Sequence, residues 1–118
     1  MDLRKQENIN YDYIPVKTKQ GTYKVFTKDI LLIEKDLRRV RIYTHKHNYC
    51  FYSKMDYVFP FLGKNFHKCH SSCIINLDKV TKMEDGVIHL EGDKWVMLGQ
   101  RSYQNTRKSY GQYLYKNL

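Results

Sequence analysis

Apolar residues in this chain recur mainly with a period of two. From Arg39 to Thr44, Val40, Ile42 and Thr44 share one parity and Arg39, Arg41 and Tyr43 the other. That alternation predicts a half-buried strand. Asn48 to Tyr52 continues it after His45-Lys46-His47, with Tyr49 and Phe51 expected on the core side. Asp29 to Glu34 contains the unbroken run Ile30-Leu31-Leu32-Ile33, which predicts a fully buried strand. Ile14–Thr18 and Thr22–Phe26 flank Lys19-Gln20-Gly21 and read as a hairpin. Further short strands are expected at Phe66–Cys69, Cys73–Ile75, Lys79–Glu84, Val87–Glu91 and Lys94–Leu98. Asp85-Gly86 and Gly92-Asp93 supply hairpin-type turns between the last three.

Two segments break the period. Ser53-Lys54-Met55-Asp56 has capping-box form and predicts a short helix from about Lys54, kinked or ended by Pro60 and stopped by Gly63. From Ser102 to Tyr115, Tyr103, Thr106, Tyr110, Tyr113 and Leu114 recur at helical spacing, and the tyrosines are expected to pack on the sheet. The whole reads as a mainly β fold of eight to ten short strands with one or two small helices. Residues 1–12 lack periodicity and read as a tail or linker remnant, leaving 13–118 as one domain.

Charge narrows the function. The chain has 118 residues, 21 Lys and Arg against 12 Asp and Glu, and a net charge of +9. That excess favours a polyanionic partner, nucleic acid before an anionic membrane surface. No apolar run approaches the roughly 20 residues of a membrane span, so no membrane insertion is expected. Three cysteines, an odd number, and a polar start without a secretory signal point to free thiols in the cytoplasm.

Three polar corners stand at strand ends. Arg38, Arg39 and Arg41, with Lys35 just before, can grip phosphate or pair with guanine through their forks. Lys68, His70, Ser71 and Ser72 form the second. Gly99-Gln100-Arg101-Ser102 forms the third, at a strand-to-helix junction whose N–H groups suit phosphate. Gln100 and Arg101 could also reach base edges.

The segment FHKCHSSCIINLDKV, residues 66–80, decides between readings. Its pattern of Phe66, His70, Ser72, Ile74-Ile75-Asn76-Leu77 and Val80 resembles the signature of the LytTR DNA-binding domain family. The strand pair before Asp29-Ile30, the run Ile30 to Glu34 and the Gly99–Ser102 corner agree with it, so the resemblance spans about Ile14 to Leu114. It implies an elongated β-sandwich of about ten strands, the output domain of a bacterial response regulator. Such a domain would bind double-stranded promoter DNA at direct repeats, with loops rather than a recognition helix in the major groove. By position, the base-contacting loops fall near Arg38 to Val40, on His70-Ser71 and on Arg101. The implied readers are Arg39, His70, Ser71 and Arg101; Arg38, Arg41, Lys68, Ser72, Ser102 and Gln104 would hold phosphates. Two positions depart from the family: Val40, where a polar residue is expected, and Gly99, where Ser is frequent. Val40 cannot hydrogen-bond a base, so its role passes to Arg39 or to an apolar contact with a thymine methyl.

The resemblance further implies control by a receiver domain or another regulatory protein. Residues 1–12 then read as the end of an interdomain linker, with the chain either an excised C-terminal half or a stand-alone regulator. The alternative is an RNA-binding or ribosome-associated basic β-domain; a protein-binding module ranks third. An enzyme is not expected: no nucleophile elbow, phosphate loop, dinucleotide fingerprint or HExxH is present. No cofactor is expected either. His67, Cys69, His70 and Cys73 are zinc-ligand types, but strand parity splits them across two faces. Cys73 is expected to pack as a small apolar residue and His67 to be exposed. Cys69, beside Lys68 and His70, is a candidate for a lowered thiol pKa, with an inert thiol as the default.

Overall fold

The computed structural model describes residues 11–118. Residues 1–10, most of the expected tail, lie outside the described residues. Tyr11 and Asp12 are tied to the body: both backbone carbonyls accept the Thr27 hydroxyl, at 3.1 and 3.2 Å. The ten strands are β1 (Tyr13–Lys17), β2 (Thr22–Phe26), β3 (Ile30–Asp36), β4 (Arg39–Thr44), β5 (Asn48–Tyr52), β6 (Phe66–His70), β7 (Cys73–Asn76), β8 (Val80–Glu84), β9 (Val87–Leu90) and β10 (Lys94–Met97). Helix α1 is Met55–Val58 and α2 is Gln100–Lys116. The mainly β, elongated fold is as expected, with extents of 39 × 29 × 24 Å.

The strands form three antiparallel sheets: β1-β2, β5-β4-β3-β7-β6 and β10-β9-β8. The five-stranded sheet is central, and each of its faces is a core. One core joins Ile30, Ile33, Val40, Ile42 and Ile74 to Ile14, Val16 and Val25 of the β1-β2 hairpin and to Met55 and Val58 of α1. The other joins Leu31, Leu32, Cys73 and Ile75 to Ile88, Leu90 and Val96 of the third sheet and to Tyr103, Tyr110 and Tyr113 of α2.

Strict alternation would put Ile30 with Leu32 and Leu31 with Ile33. The structure instead pairs Ile30 with Ile33 in the first core and Leu31 with Leu32 in the second. A register shift between Ile30 and Leu32 explains it, because one extra residue in a strand inverts every later side chain. A second shift between Lys68 and His70 re-phases the end of β6: it sets His70 opposite Cys73, while Cys69 stays on the face of His67, beside Cys73 in the second core.

The expected alternation of β4 is present, with Val40 and Ile42 fully buried and Arg39 and Arg41 exposed. Tyr49 and Phe51 face the first core as expected. The capping box does not form. The Ser53 N–H extends the ladder by donating to the Arg38 carbonyl at 3.1 Å, so the helix starts at Met55 with Lys54 as an uncapped N-cap. Pro60 sits in a 3-10 turn, Phe59–Phe61, that ends this segment. Helix α2 starts two residues before the expected Ser102; its Tyr103, Tyr110 and Tyr113 pack as expected, and Leu114 is exposed.

Asn76 is the buried polar hub. Its amide donates to the Ile30 carbonyl at 2.8 Å, and its Oδ1 accepts the Asp78 N–H at 3.0 Å and the Asn65 amide at 2.9 Å. Three segments thus meet at one side chain that is 1% exposed. Asn76→Ala leaves these groups unpaired and should cost about 2–3 kcal/mol, since each buried orphan costs about 1–3 kcal/mol. Urea unfolding measures it; a loss below about 0.5 kcal/mol would mean that water replaces the hub.

Candidate nucleic-acid interface

Register alone brings two of the three polar corners together. Glu34 pairs with Cys73, and the Lys35 N–H donates to the Ser72 carbonyl at 2.9 Å. The β3-β4 turn, Leu37-Arg38, therefore lies beside the β6-β7 turn, Ser71-Ser72. The end of β5 joins them through the Ser53–Arg38 bond.

Helix α2 brings the third corner. The His67 ring is 3.1 Å from the Thr106 hydroxyl. Further down the helix, Ser109, Gln112 and Tyr113 line a groove with Asn65 and Phe66, where β6 begins. The helix thus runs antiparallel to β6, and its first turn lies toward His70. Gly99 is the N-cap, with no side-chain cap, and the first intrahelical bond is from the Tyr103 N–H to the Gly99 carbonyl. The N–H groups of Gln100, Arg101 and Ser102 have no partner within the helix. All three corners share one end of the molecule. Five strand ends at about 4.8 Å spacing span about 19 Å, enough to cross a major groove of about 12 Å and reach its flanking phosphates.

The side chains differ in how they are held. The Arg39 guanidinium donates to the Tyr52 hydroxyl at 3.2 Å and lies over that ring, 5.2 Å from its centroid. Through that hydrogen bond first, and then its charge, it lowers the Tyr52 phenol from its ordinary range. Tyr52 is a site residue that sequence reasoning missed; its only signal was parity opposite Phe51. His70 Nδ1 accepts the Ser72 N–H at 3.1 Å, which leaves Nε2 facing outward. Ser72 is therefore held by both its backbone groups, whereas Ser71 is exposed. Arg38, Gln100 and Arg101 are exposed, and Ser102 is half-buried.

Three expected residues stand apart. Arg41 lies two residues in from the turn, opposite Glu34. Gln104 is a helical turn further along α2. Lys68 faces the other side of the sheet, its ammonium 5.8 Å from the centroid of the Phe59 ring. Val40 is fully buried, so the thymine-methyl contact considered for it is not available. The β8-β9 turn also flanks this end, since the Leu98 N–H donates to the Gly86 carbonyl at 3.0 Å. It brings Glu84 and Asp85, with Lys82 3.7 Å from Glu84.

The model of the LytTr DNA-binding domain family matches residues 20–111. This chain belongs to the LytTr DNA-binding domain family. Among solved structures it is similar to a LytTr DNA-binding domain from Bacillus cereus, of a protein given as a methyl-accepting/DNA response regulator. The TM-score is 0.75 at 17% identity, over 86% of this chain and 99% of that one. No curated protein matches it. The residues that carry the LytTr signature have mostly architectural tasks here. Phe66 fills the first core and Val80 the second, Asn76 is the hub, and His70 ties the turn.

Behind the interface, α2 covers a buried set. His67 is half-buried by the helix rather than exposed, because the shared face of β6 lies under α2. Cys69 and Cys73 are both buried, Cys73 packing as expected. The two thiols share the second core. The Cys73 thiol beside it lowers Cys69, and the Cys69 thiol, together with burial, raises Cys73. Lys68 and His70, the neighbours expected to act on Cys69, point elsewhere. Among the described residues no group of three or more metal-ligand side chains converges.

Burial under α2 lowers the His67 pKa from its ordinary 6.5. As pH falls through about 6.5 the unfolded chain takes up this proton first, so the contribution to stability present above that pH is lost below it. His67→Gln should remove this component. Urea midpoints at pH 7.5 and 5.5 should converge for the variant relative to the parent; an unchanged difference would mean that His67 is solvated in both states.

Proposed function

We propose that this chain binds double-stranded DNA sequence-specifically as the output module of a bacterial transcription regulator in the cytoplasm. Residues 13–118 form that module, and the site is promoter DNA at direct repeats. The observation that carries the reading is the convergence of the Leu37-Arg38 turn, the Ser71-Ser72 turn and the first turn of α2 on one end, with Arg38, Arg39 and Arg101 exposed there. Short turns project into the major groove and no helix lies in it. Arg39, His70, Ser71 and Arg101 read bases or approach them closely. Gln100, beside Arg101, is placed to reach a base edge; Arg38, Ser72 and Ser102 hold phosphate near the groove, and Arg41, Lys68 and Gln104 reach more distant phosphates.

The mechanism is recruitment, without catalysis. Cations displace condensed counterions, and this sequence-independent term supplies encounter and much of the affinity. A few side chains then supply discrimination. A receiver domain or separate regulatory protein controls when the module is presented.

Fluorescence anisotropy at two salt concentrations tests this reading. The probes are random duplexes, duplexes selected from that pool, and single-stranded RNA of equal length. A short repeated duplex motif should be enriched. Strong binding to single strands with no enriched duplex would replace this reading with the RNA-binding one.

Arg101→Ala should cost about 1–3 kcal/mol on the selected duplex and less on random DNA. Equal losses would make Arg101 a phosphate contact. Lys68→Ala should weaken both duplexes alike and flatten the salt slope by about one unit. An unchanged slope would remove Lys68 from the interface.

A further inference from the structure

The tip of the β3-β4 hairpin is built from an unusual residue. Leu37 is 86% exposed, and its φ is +56°. The left-handed region crowds the Cβ of an L side chain, so hairpin turns that need it favour Gly, Asn or Asp. This protein follows that preference elsewhere: Asp85-Gly86 and Gly92-Asp93 occupy its other left-handed turns. Only this hairpin uses an aliphatic side chain there, among the described residues. A lone exposed leucine carries little meaning. An exposed leucine held in unfavourable backbone, at a turn fastened on both sides, is different. Lys35 fastens one side to Ser72, and Arg38 fastens the other to Ser53. Arg38 and Arg39 follow it directly, the latter held by Tyr52.

Nothing in the interior calls for the leucine. Val40, the other apolar residue of this corner, is fully buried and reaches nothing outside. The turn therefore presents one apolar group, flanked by two cations, at the end where the polar corners meet. Resting on the DNA-binding reading above, we infer that Leu37 is a specificity residue that enters the major groove and packs on the C5-methyl group of a thymine. That methyl is the apolar feature of the major groove and distinguishes thymine from every other base. Arg38 and Arg39 steer the tip to the phosphates on either side, and the leucine supplies the discrimination that Val40 cannot.

The test replaces single thymines of the enriched duplex by uracil, which removes only the methyl group. Binding is measured for the parent, Leu37→Ala and Leu37→Gly. For at least one thymine, uracil should weaken the parent about fourfold, the worth of one buried methyl-sized group of about 0.8 kcal/mol. Leu37→Ala should bind the thymine duplex more weakly and be indifferent to that swap. Leu37→Gly should also lose binding, while its urea midpoint stays level or rises because glycine suits the backbone. Loss of binding without loss of stability separates reading from a structural role. The inference is overturned if uracil is silent at every thymine, or if Leu37→Ala remains as sensitive to the swap as the parent. Failure to enrich any duplex would overturn the DNA-binding reading and this inference together; an enriched motif with silent uracils would overturn the inference alone.

Discussion

The fold depends on one strand that feeds two cores. β3 lies at the centre of the five-stranded sheet, and its four successive apolar residues must serve both faces. The bulge at Leu31 makes that possible. It sends Leu31 and Leu32 together toward α2 and the third sheet, and returns Ile33 to the hairpin side. Without it the residues after Leu31 would exchange faces. Glu34, which stands at a sheet end opposite Arg41, would then point into the first core. The bulge therefore also sets the phase of the turn that follows, and with it the direction of Leu37, Arg38 and Arg39.

A division of labour follows. The residues by which the LytTr signature is seen mainly hold the frame: Phe66 and Val80 by burial, Asn76 by three hydrogen bonds, His70 by fastening a turn. Most of the side chains assigned to DNA are exposed, with Ser72 and Ser102 half-buried and His70 serving both parts. Such an arrangement lets tip residues change without disturbing the frame. It also explains how 17% identity coexists with a TM-score of 0.75 to a relative.

Much of the frame was legible in the sequence because strand parity is a local property. β4 and β5 follow their apolar alternation, and the Asp85-Gly86 and Gly92-Asp93 turns follow from residues that tolerate left-handed backbone. What was not legible depended on partners distant in sequence. The bulge at Leu31 answers to two cores at once. The capping box at Ser53 loses to a ladder bond offered by Arg38. His67 looked exposed because nothing near it in the chain announces that α2, some 40 residues later, lies over β6. For the site, the three corners were legible as polar strand ends, but their meeting is a matter of register and helix direction. Leu37 was not legible at all, since an apolar residue in a turn carries no signal until its backbone is seen.

The tightness of the turns bears on how such an end could discriminate. A loop that orders on binding gives up part of its contact energy to entropy, and long charged side chains give up more. Here the tips are two-residue turns with their flanks fastened by Lys35–Ser72, Ser53–Arg38 and His70–Ser72 bonds, and Arg39 is already held against Tyr52. Little remains to be ordered. A stiff tip is also intolerant: a base that presents the wrong group meets a surface that cannot move away, so mismatches are rejected rather than accommodated. In the proposed complex the acidic β8-β9 turn adds to this. Glu84 and Asp85 repel phosphates on the flank beside Leu98, which disfavours a duplex lying across that side and favours one lying across the row of strand ends from Tyr52 to His70. Attraction by the +9 chain is unspecific. In the proposed complex the fastened tips and this one repelling flank would convert it into an orientation.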